Sequence, residues 1–354
     1  MLRRFLPLLW RHRRLGFDEF LARAAERRIL SPAGPSEHPS AIAQDDELGR
    51  ILKFYRDEDQ FELDRLTSAR WEHGATVAHR FDEAVVGGGH VFAAGASYKF
   101  APAATRISLQ GPMEEWEEAM LATSLCAETY FGDWLIEGLG LELLAREQHW
   151  PALGFGLRPW QHEPGYRAMT GLSPHIVRFA RVKHLWVVDD RGLNASRERR
   201  FRELRALIRQ SAMRAERSGA EKVYLARGHT GQGRQLVNAT EVESALTRAG
   251  FTIIHPEAME PLALASSLAD ARIVVAVEGS AHVHALLAMA DGGTLVNIQP
   301  PRRFTTPGKG MADMAGLRYA YTVGEPASPA DDDDNFTMPV ARLLQTIALV
   351  EAAA

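Results

Sequence analysis

The segment VVAVEGSAHVHALLAMADGGTLVNI, residues 274–298, decides the fold, because it holds one complete strand–helix–strand repeat. The apolar residues 274–277 have the length of a buried strand, residues 281–290 have the spacing of a helix, and residues 294–298 form a second apolar run. Apolar strands that alternate with helices of about ten residues indicate parallel strands that are buried on both faces.

The same alternation starts near residue 183 and continues through the C-terminal half of the chain. The predicted strands are HLWVVDD, KVYLARG, FTIIHP, RIVVAVEG and TLVNIQP, and the predicted helices are 197–217, 240–249, 261–269 and 281–290. The pattern is typical of a doubly wound α/β domain. We therefore predict a basic helix with a linker and helical region (1–80), an α/β domain (81–182), a doubly wound domain (183–325), and a final helix (336–354) that packs back on the N-terminal domain.

Composition narrows the class of protein. With 354 residues and 46% hydrophobic content, the chain is long enough for two domains at roughly 150 residues each. A net charge of -4 argues against a nucleic-acid-binding protein, whose domain would be strongly basic. The single cysteine, Cys126, excludes an internal disulfide and a cysteine-based zinc cluster and suits a cytoplasmic location.

The first 28 residues combine eight arginines and three acidic residues with interleaved Leu, Phe and Trp. A basic amphipathic helix of this kind can anchor a protein to an anionic membrane surface, here the inner membrane. The alternative is a basic helix that is solvated on its charged face. We expect no transmembrane helix, because no run of roughly 18 apolar residues occurs.

The predicted strand 274–277 ends at Glu278, Gly279 and Ser280. Ligands of open parallel sheets bind beyond the carboxyl ends of the strands. Gly279 permits a tight turn and close approach of a ligand, and Ser280 is a suitable N-cap. The amides of residues 281–283 would then form an anion site for a diphosphate, with Glu278 placed to accept hydrogen bonds from sugar hydroxyls. The alternative is that these residues only cap the helix.

Two histidines follow in the helix. His282 and His284 are two positions apart, so they face different directions, and we expect His282 to reach the ligand site and His284 to be packed. Zinc ligands on a helix lie three or four positions apart, so we expect no metal site here.

A second segment, VYLARGHTGQGRQLVNATEVESAL (223–246), has a predicted strand that ends at Arg227, then a glycine-rich loop, Arg234, and Asn238 ahead of a helix. Guanidinium groups match phosphate oxygens well, so the loop is a candidate for wrapping a phosphate. The glycine spacing fits neither the dinucleotide fingerprint nor the P-loop. The alternative is a surface loop whose arginines have no ligand.

The order of these elements resembles the glycosyltransferase family 61 domain of capsular and exopolysaccharide transferases. The residues that carry the resemblance are the strand with Arg227, the glycine loop, Arg234, the Asn-x-x-Glu helix start, and the AGF, GSA and LVNI segments, over about residues 125–300. Upstream, YFGDWLIEGLGLELLA (130–145) resembles a family segment in which a histidine stands where this chain has Asp133. The family often has His-Gly-Ala in place of Glu278-Gly279-Ser280.

The resemblance implies an inverting glycosyltransferase with a GT-B-like fold, in which two Rossmann-like domains face each other across a cleft. Such an enzyme moves a sugar from a nucleotide-sugar, here a UDP-sugar, to a glycan acceptor in surface polysaccharide synthesis, without a metal or other cofactor. The implied donor-site residues are Arg227, Arg234, Asn238, Glu278, Gly279 and Ser280. His282 joins them as a substrate-binding candidate because of its place in the helix, not through the resemblance. The acceptor-side domain (81–182) would supply the catalytic base, with Asp133 as the first candidate and Glu137, one helical turn later, as the second.

Two other interpretations remain open at this point. The sequence VVDD (187–190) could form the metal site of a GT-A enzyme. The departures at Asp133 and Glu278 could instead indicate a non-catalytic scaffold that binds a nucleotide-sugar or a glycan.

Overall fold

The computed structural model describes residues 13–55, 59–102, 113–157, 160–228, 234–328 and 334–353. The chain forms two compact units, which comprise Met1–Gly34 with Glu72–Phe201, and Pro35–Trp71 with Arg202–Ala354. Both units contain helices and strands, so the protein belongs to the α/β class. No helix in the described residues is long and apolar enough to cross a membrane. Residues 1–12 of the basic N-terminal segment lie outside the described residues. The rest of the segment forms the strand Arg13–Arg14, the helix Phe17–Leu21 and the start of the strand Glu26–Ser31, so it is not part of one continuous basic helix.

The first unit contains a mixed sheet. In spatial order its strands are Arg13–Arg14, Ala96–Lys99, His90–Ala93, Thr76–Gly87, Phe179–Asp189, Glu114–Leu121, Ala152–Gly154 and His175–Ile176, and Glu26–Ser31 also pairs with Thr76–Gly87. The central strand Phe179–Asp189 is antiparallel to Thr76–Gly87 and parallel to Glu114–Leu121. The sheet therefore differs from the parallel Rossmann-like sheet that the family resemblance implied for this half.

The strand HLWVVDD was expected to open the C-terminal domain, but it is part of Phe179–Asp189 in the first unit. Its apolar run is buried because both faces of this central strand are covered, and Trp186 stacks on Trp150 with ring centroids 4.6 Å apart. Burial on both faces is equally compatible with a parallel and a mixed sheet, so the apolar run did not identify its partners.

The helices of the first unit are Phe17–Leu21, Phe131–Asp133, Leu139–Glu147 and Glu163–Thr170, with a π-helix at Trp134–Gly138. The long helix Ala195–Arg214 contains the boundary between the units, at Phe201. It begins at Asn194, whose Oδ1 accepts hydrogen bonds from the amides of Ser196 (3.1 Å) and Arg197 (3.3 Å). Asparagine at this position satisfies amides that have no partner inside the helix.

The second unit contains a five-stranded parallel sheet. In spatial order the strands are Thr252–Ile254, Lys222–Leu225, Ile273–Val277, Thr294–Gln299 and Arg318–Val323. The four strands predicted between residues 222 and 299 are present, and Arg318–Val323 is a fifth that the sequence did not indicate. Neighbouring parallel strands end at the same edge, which places the residues after Leu225 and Val277 side by side.

The helices of the second unit are Asp59–Thr67, Ala239–Arg248, Pro261–Leu268, Ala281–Ala288, Pro307–Ala315 and Val340–Ala352, with 3-10 turns at Glu47–Arg50 and Pro256–Ala258. The short strands Glu325–Pro326 and Phe336–Thr337 pair with each other. Two further short strands, Gly34–Glu37 and Arg70–His73, lie where the chain passes between the units.

The last helix differs from its expected position. It was expected to pack on the N-terminal domain, but Leu343, Ile347 and Val350 belong to the core of the parallel sheet together with Val275 and Val296. These three residues recur every three or four positions, so they form one apolar face, and the sheet covers it.

Residues 35–71 also belong to the second unit, because two buried carboxylates fix them there. Glu62 accepts hydrogen bonds from the Thr305 hydroxyl (3.0 Å) and the Thr306 amide (2.7 Å). Glu47 accepts them from the Thr322 hydroxyl (3.0 Å) and the Val323 amide (2.8 Å). Each carboxylate has a hydrogen bond at both oxygens, which compensates for its burial.

Candidate functional site

The candidate site lies where two neighbouring strands of the parallel sheet end. The strand Lys222–Leu225 runs beside Ile273–Val277, so Arg227 and Glu278 lie next to each other. The Arg227 guanidinium donates a hydrogen bond from Nη1 to the Glu278 carbonyl oxygen at 3.0 Å. Two segments that the sequence singled out separately therefore meet at one point.

Arg234 reaches the same point from the far end of the glycine-rich loop. Its Nη2 donates to the Glu278 carbonyl oxygen at 3.3 Å and lies 2.6 Å from the Glu278 carboxylate oxygen Oε2. Both side chains are nearly buried, with 7% of Arg234 and 12% of Glu278 exposed. The second contact is an ion pair by distance but lacks hydrogen-bond geometry, since Oε2 accepts no hydrogen bond from the described residues.

Gly279 makes this convergence possible. Its φ is +138°, and a Cβ atom added there would lie 2.6 Å from Arg227 Nη1 and 3.0 Å from Arg234 Nη2. The two guanidinium groups therefore occupy the space that a side chain would need. Glycine was expected for a tight turn and for close approach of a ligand, and in the structure the close approach is made by the arginines.

The site concentrates positive charge in a poorly solvated place. Burial, together with the positive charge of Arg234 beside it, lowers the pKa of Arg227 to about 10. Burial also lowers the pKa of Arg234, while the charge of Glu278 raises it. Both guanidinium groups stay protonated at neutral pH, so the site is a cation cluster that is only partly compensated.

A third arginine, which the sequence analysis missed, contributes to this field. The charge of Arg303 lowers the pKa values of both Arg227 and Arg234. The Arg303 guanidinium lies 3.8 Å from the centroid of the Tyr55 ring and 3.9 Å from Asp334 Oδ2. The signal was present in the sequence, because Arg303 follows the next strand of the sheet, Thr294–Gln299, just as Arg227 follows its own strand.

The helix after Gly279 offers fewer free amides than expected. Ser280 occupies the N-cap position of Ala281–Ala288, but its side chain makes no capping hydrogen bond. Of the amides expected to be free, two donate within the first turn, from His282 to the Gly279 carbonyl (3.2 Å) and from Val283 to the Ser280 carbonyl (3.3 Å). The turn has closed tightly with bonds between residues three apart, so the guanidinium groups are the main cationic feature of the site.

His282 lies beneath the site instead of lining it. Only 4% of His282 and 3% of His284 are exposed, because residues 282–288 of the helix Ala281–Ala288 are all buried. Burial, with Arg234 nearby, lowers the pKa of His282 to about 4, so the ring is neutral at pH 7. Its Nδ1 lies 3.3 Å from the Asn297 side-chain nitrogen, which fits a neutral ring that accepts at Nδ1.

Asn238 anchors the far end of the glycine-rich loop. Its Nδ2 donates to the Met338 carbonyl (3.0 Å), and the Met338 amide donates to its Oδ1 (2.9 Å). This two-way pairing fixes the chain just after Arg234. The loop residues 229–233 themselves lie outside the described residues.

The two candidate bases lie in the first unit. Asp133 ends the short helix Phe131–Asp133 and is half-buried, and the π-helix Trp134–Gly138 follows at once and carries Glu137. Glu137 accepts hydrogen bonds from the Ser124 hydroxyl at 2.6 Å and from Arg197 Nη2 at 3.3 Å. Both of its oxygens are therefore engaged. A π-helix turn often accompanies a functional site, and this one carries Glu137 and directly follows Asp133.

A cavity of about 30 Å³ lies beside this segment, and the sequence analysis did not anticipate it. Its lining includes Trp134, Trp160, Glu128, Glu142, Glu163 and Arg167. Arg167 donates to both oxygens of Glu142, at 3.2 and 3.1 Å, and to Glu163 at 2.7 Å. Burial nevertheless raises the pKa of Glu142 to about 7. The signal was a glutamate within the otherwise apolar run LELLA.

The VVDD segment has partners that occupy its carboxylates. Asp189 accepts from Arg191 Nε at 2.8 Å, and Asp190 accepts from the buried Arg200 at 2.7 and 2.6 Å. In the described part of the chain, no group of three or more His, Cys, Asp or Glu residues is arranged to hold a metal ion. The pairing with arginines argues against the GT-A interpretation of these two aspartates.

Comparison with known protein families identifies the class of protein to which the chain belongs. The family model for Glycosyltransferase 61 matches residues 18–296. The chain belongs to glycosyltransferase family 61. It is therefore a glycosyltransferase, which uses a sugar donor and an acceptor, and the match extends over the segments of Asp133, Arg227 and Glu278. No curated protein matches this family 61 chain.

Proposed function

We propose that this family 61 protein is an inverting transferase that moves a sugar from a UDP-sugar to a glycan acceptor in surface polysaccharide synthesis. The observation that carries the proposal is the convergence of Arg227 and Arg234 on the Glu278 carbonyl oxygen at the edge of a parallel sheet. A nucleotide-sugar presents a diphosphate, and guanidinium groups in a poorly solvated place bind phosphate oxygens strongly.

The reaction that we propose is a single displacement at the anomeric carbon. The acceptor oxygen forms a bond to that carbon, the bond to the diphosphate oxygen breaks, and the diphosphate leaves with the electron pair. A base takes the proton of the acceptor hydroxyl. Arg227 and Arg234 stabilise the charge that develops on the diphosphate, a role that metal ions fill in other enzymes.

We propose Asp133 as the base. Glu137, whose carboxylate accepts hydrogen bonds from Ser124 and Arg197, is the second candidate. In this proposal the first unit binds the acceptor and the second unit binds the donor. The basic residues 1–28 would hold the enzyme at the cytoplasmic face of the inner membrane.

The donor site is tested by calorimetric titration of UDP. Arg227→Ala removes a charge-assisted hydrogen-bond donor of roughly 1.5–3 kcal/mol, so UDP should bind roughly 10 to 150 times more weakly. Arg248→Ala, at an exposed arginine at the end of the helix Ala239–Arg248, is the matched control and should bind UDP normally. Unchanged affinity in Arg227→Ala would refute the donor site.

The base is tested by UDP release from a panel of UDP-sugars with glycan acceptors, with and without EDTA. Asp133→Asn should abolish transfer and leave UDP affinity intact, while Glu137→Gln should retain most of the rate. Near-normal transfer by Asp133→Asn would remove Asp133 from the mechanism. Loss of activity in EDTA would contradict a mechanism without a metal.

A second candidate is a non-catalytic protein of the same family that binds a nucleotide-sugar or a glycan. The observation in its favour is that the Glu278 carboxylate already pairs with Arg234. Binding of UDP-sugars without UDP release, over the same panel of acceptors, would support this candidate over the transferase.

A further inference from the structure

The Glu278 carboxylate occupies the position in which the site would bind an anion. Its Oε2 lies 2.6 Å from Arg234 Nη2, and the same Nη2 also donates to the Glu278 carbonyl oxygen. Two oxygens of Glu278, one from its backbone carbonyl and one from its carboxylate, therefore contact the Arg234 guanidinium group that lies over Gly279. The chain therefore supplies a counter-anion of its own to the cation cluster of Arg227, Arg234 and Arg303.

The bonding of Glu278 differs from that of the structural carboxylates in the same unit. Glu47 and Glu62 are buried, and each accepts hydrogen bonds at both oxygens. Glu278 is 9% exposed, but its Oε2 accepts no hydrogen bond from the described residues. An oxygen held by one ion pair alone is fixed less completely than the oxygens of Glu47 and Glu62, which amides and hydroxyls hold.

A carboxylate and a diphosphate cannot share one guanidinium group without strong repulsion between like charges, which the poorly solvated surroundings would increase. Binding of a diphosphate must therefore move Glu278 away from Arg234. The incomplete hydrogen bonding of Oε2 makes that movement easier, because one ion pair is lost and no network of amides is broken.

We propose that Glu278 is an internal competitor for the donor diphosphate, which pairs with Arg234 in the free enzyme and returns to it after transfer. The inference rests on the proposed function. The return of Glu278 would weaken binding of the nucleoside diphosphate product and so speed its release. It would also exclude free phosphates. Displacing Glu278 from Arg234 costs free energy, and only a donor that makes further contacts through its sugar and base would offset that cost.

The test compares Glu278→Gln with the natural protein by calorimetric titration of UDP and of inorganic pyrophosphate. Glutamine keeps the shape and removes the charge, so both ligands should bind at least tenfold more tightly, and UDP should become a stronger product inhibitor. Glu243→Gln, in the helix Ala239–Arg248, is the matched control and should leave both affinities unchanged. Should Glu278→Gln fail to fold, Glu278→Asp, which shortens the reach to Arg234, should give a smaller tightening.

The outcomes separate this inference from the proposed function. Equal or weaker pyrophosphate binding by Glu278→Gln would overturn the inference, because Glu278 would then support the anion site and not compete for it. If UDP binds to neither protein but pyrophosphate binds more tightly to Glu278→Gln, the proposed function fails and the internal competitor stands.

Discussion

Replacement of Gly279 by alanine tests the geometry on which the donor site depends. The φ of +138° is accessible in practice to glycine alone, and the new Cβ would lie 2.6 Å from Arg227 Nη1 and 3.0 Å from Arg234 Nη2. The methyl group and the two guanidinium groups cannot occupy the same space, so either the turn or the arginines must move.

The expected effect follows from these two costs. The backbone strain is of order 1–3 kcal/mol. Displacement of a guanidinium from the Glu278 carbonyl oxygen removes a charge-assisted hydrogen bond of roughly 1.5–3 kcal/mol. We therefore expect Gly279→Ala to lower the free energy of unfolding by about 2.5–6 kcal/mol and to weaken UDP binding roughly tenfold or more.

Gly292→Ala provides the matched control. Gly292 also has a positive φ, +71°, but a Cβ added there meets no atom within 4 Å. This variant should lose only about 1–2 kcal/mol through backbone strain and should bind UDP normally. Urea unfolding and calorimetry measure the two quantities. The two variants could lose equal stability while Gly279→Ala still binds UDP normally. That result would refute the idea that the donor site depends on the arginines packing against Gly279.

Three further predictions concern buried charges. Burial raises the pKa of Glu142 from 4.5 to about 7. The stability that the protonated Glu142 contributes is therefore fully present below pH 4.5, and about 3 kcal/mol of it is lost as pH rises to 7. In urea unfolding between pH 4.5 and 8, the free energy of unfolding of Glu142→Gln should fall less steeply with pH than that of the natural protein. Burial lowers the pKa of His282 from 6.5 to about 4, so the free energy of unfolding should decrease as pH falls from 6.5 towards 4. His282→Gln should lose less stability than the natural protein over that pH range. An equal pH dependence of the two proteins would contradict a buried neutral ring. Arg200→Met leaves the carboxylate of Asp190 without its buried partner and should lower the free energy of unfolding by about 3–5 kcal/mol. Replacement of both partners by apolar residues should restore much of that loss in thermal unfolding, whereas a single variant as stable as the natural protein would contradict the pairing.

The main part of the candidate site could be predicted because one rule of parallel sheets governs it. The residues that follow neighbouring strands meet at one edge, so Arg227 and Glu278 were expected together, and the structure brings them within hydrogen-bond distance. The same rule, applied to the strand Thr294–Gln299, would have identified Arg303. The amides of His282 and Val283 were wrongly expected to be free, because residue spacing does not determine whether the first turn of a helix closes tightly.

The assignment of segments to units was less predictable, since it depends on contacts between residues distant in sequence. The apolar run in Phe179–Asp189 indicates burial on both faces but not its antiparallel partner Thr76–Gly87. Residues 35–71 belong to the second unit through Glu47 and Glu62, whose partners lie more than 240 positions away. A glutamate in a polar stretch carries no sign that it will be buried, so sequence patterns could not reveal these contacts.

The buried charges of the site destabilise the fold. This cost supports the proposal that they serve to bind a ligand. Burial and neighbouring positive charge lower the pKa of Arg227 from 12.5 to about 10, which corresponds to about 3 kcal/mol of unfavourable free energy for the charged form at neutral pH. Arg234 and Glu278 are also poorly compensated, because Arg234 Nε and Glu278 Oε2 lack hydrogen-bond partners in the described residues. A diphosphate would supply acceptor oxygens and negative charge at the place where both are in deficit.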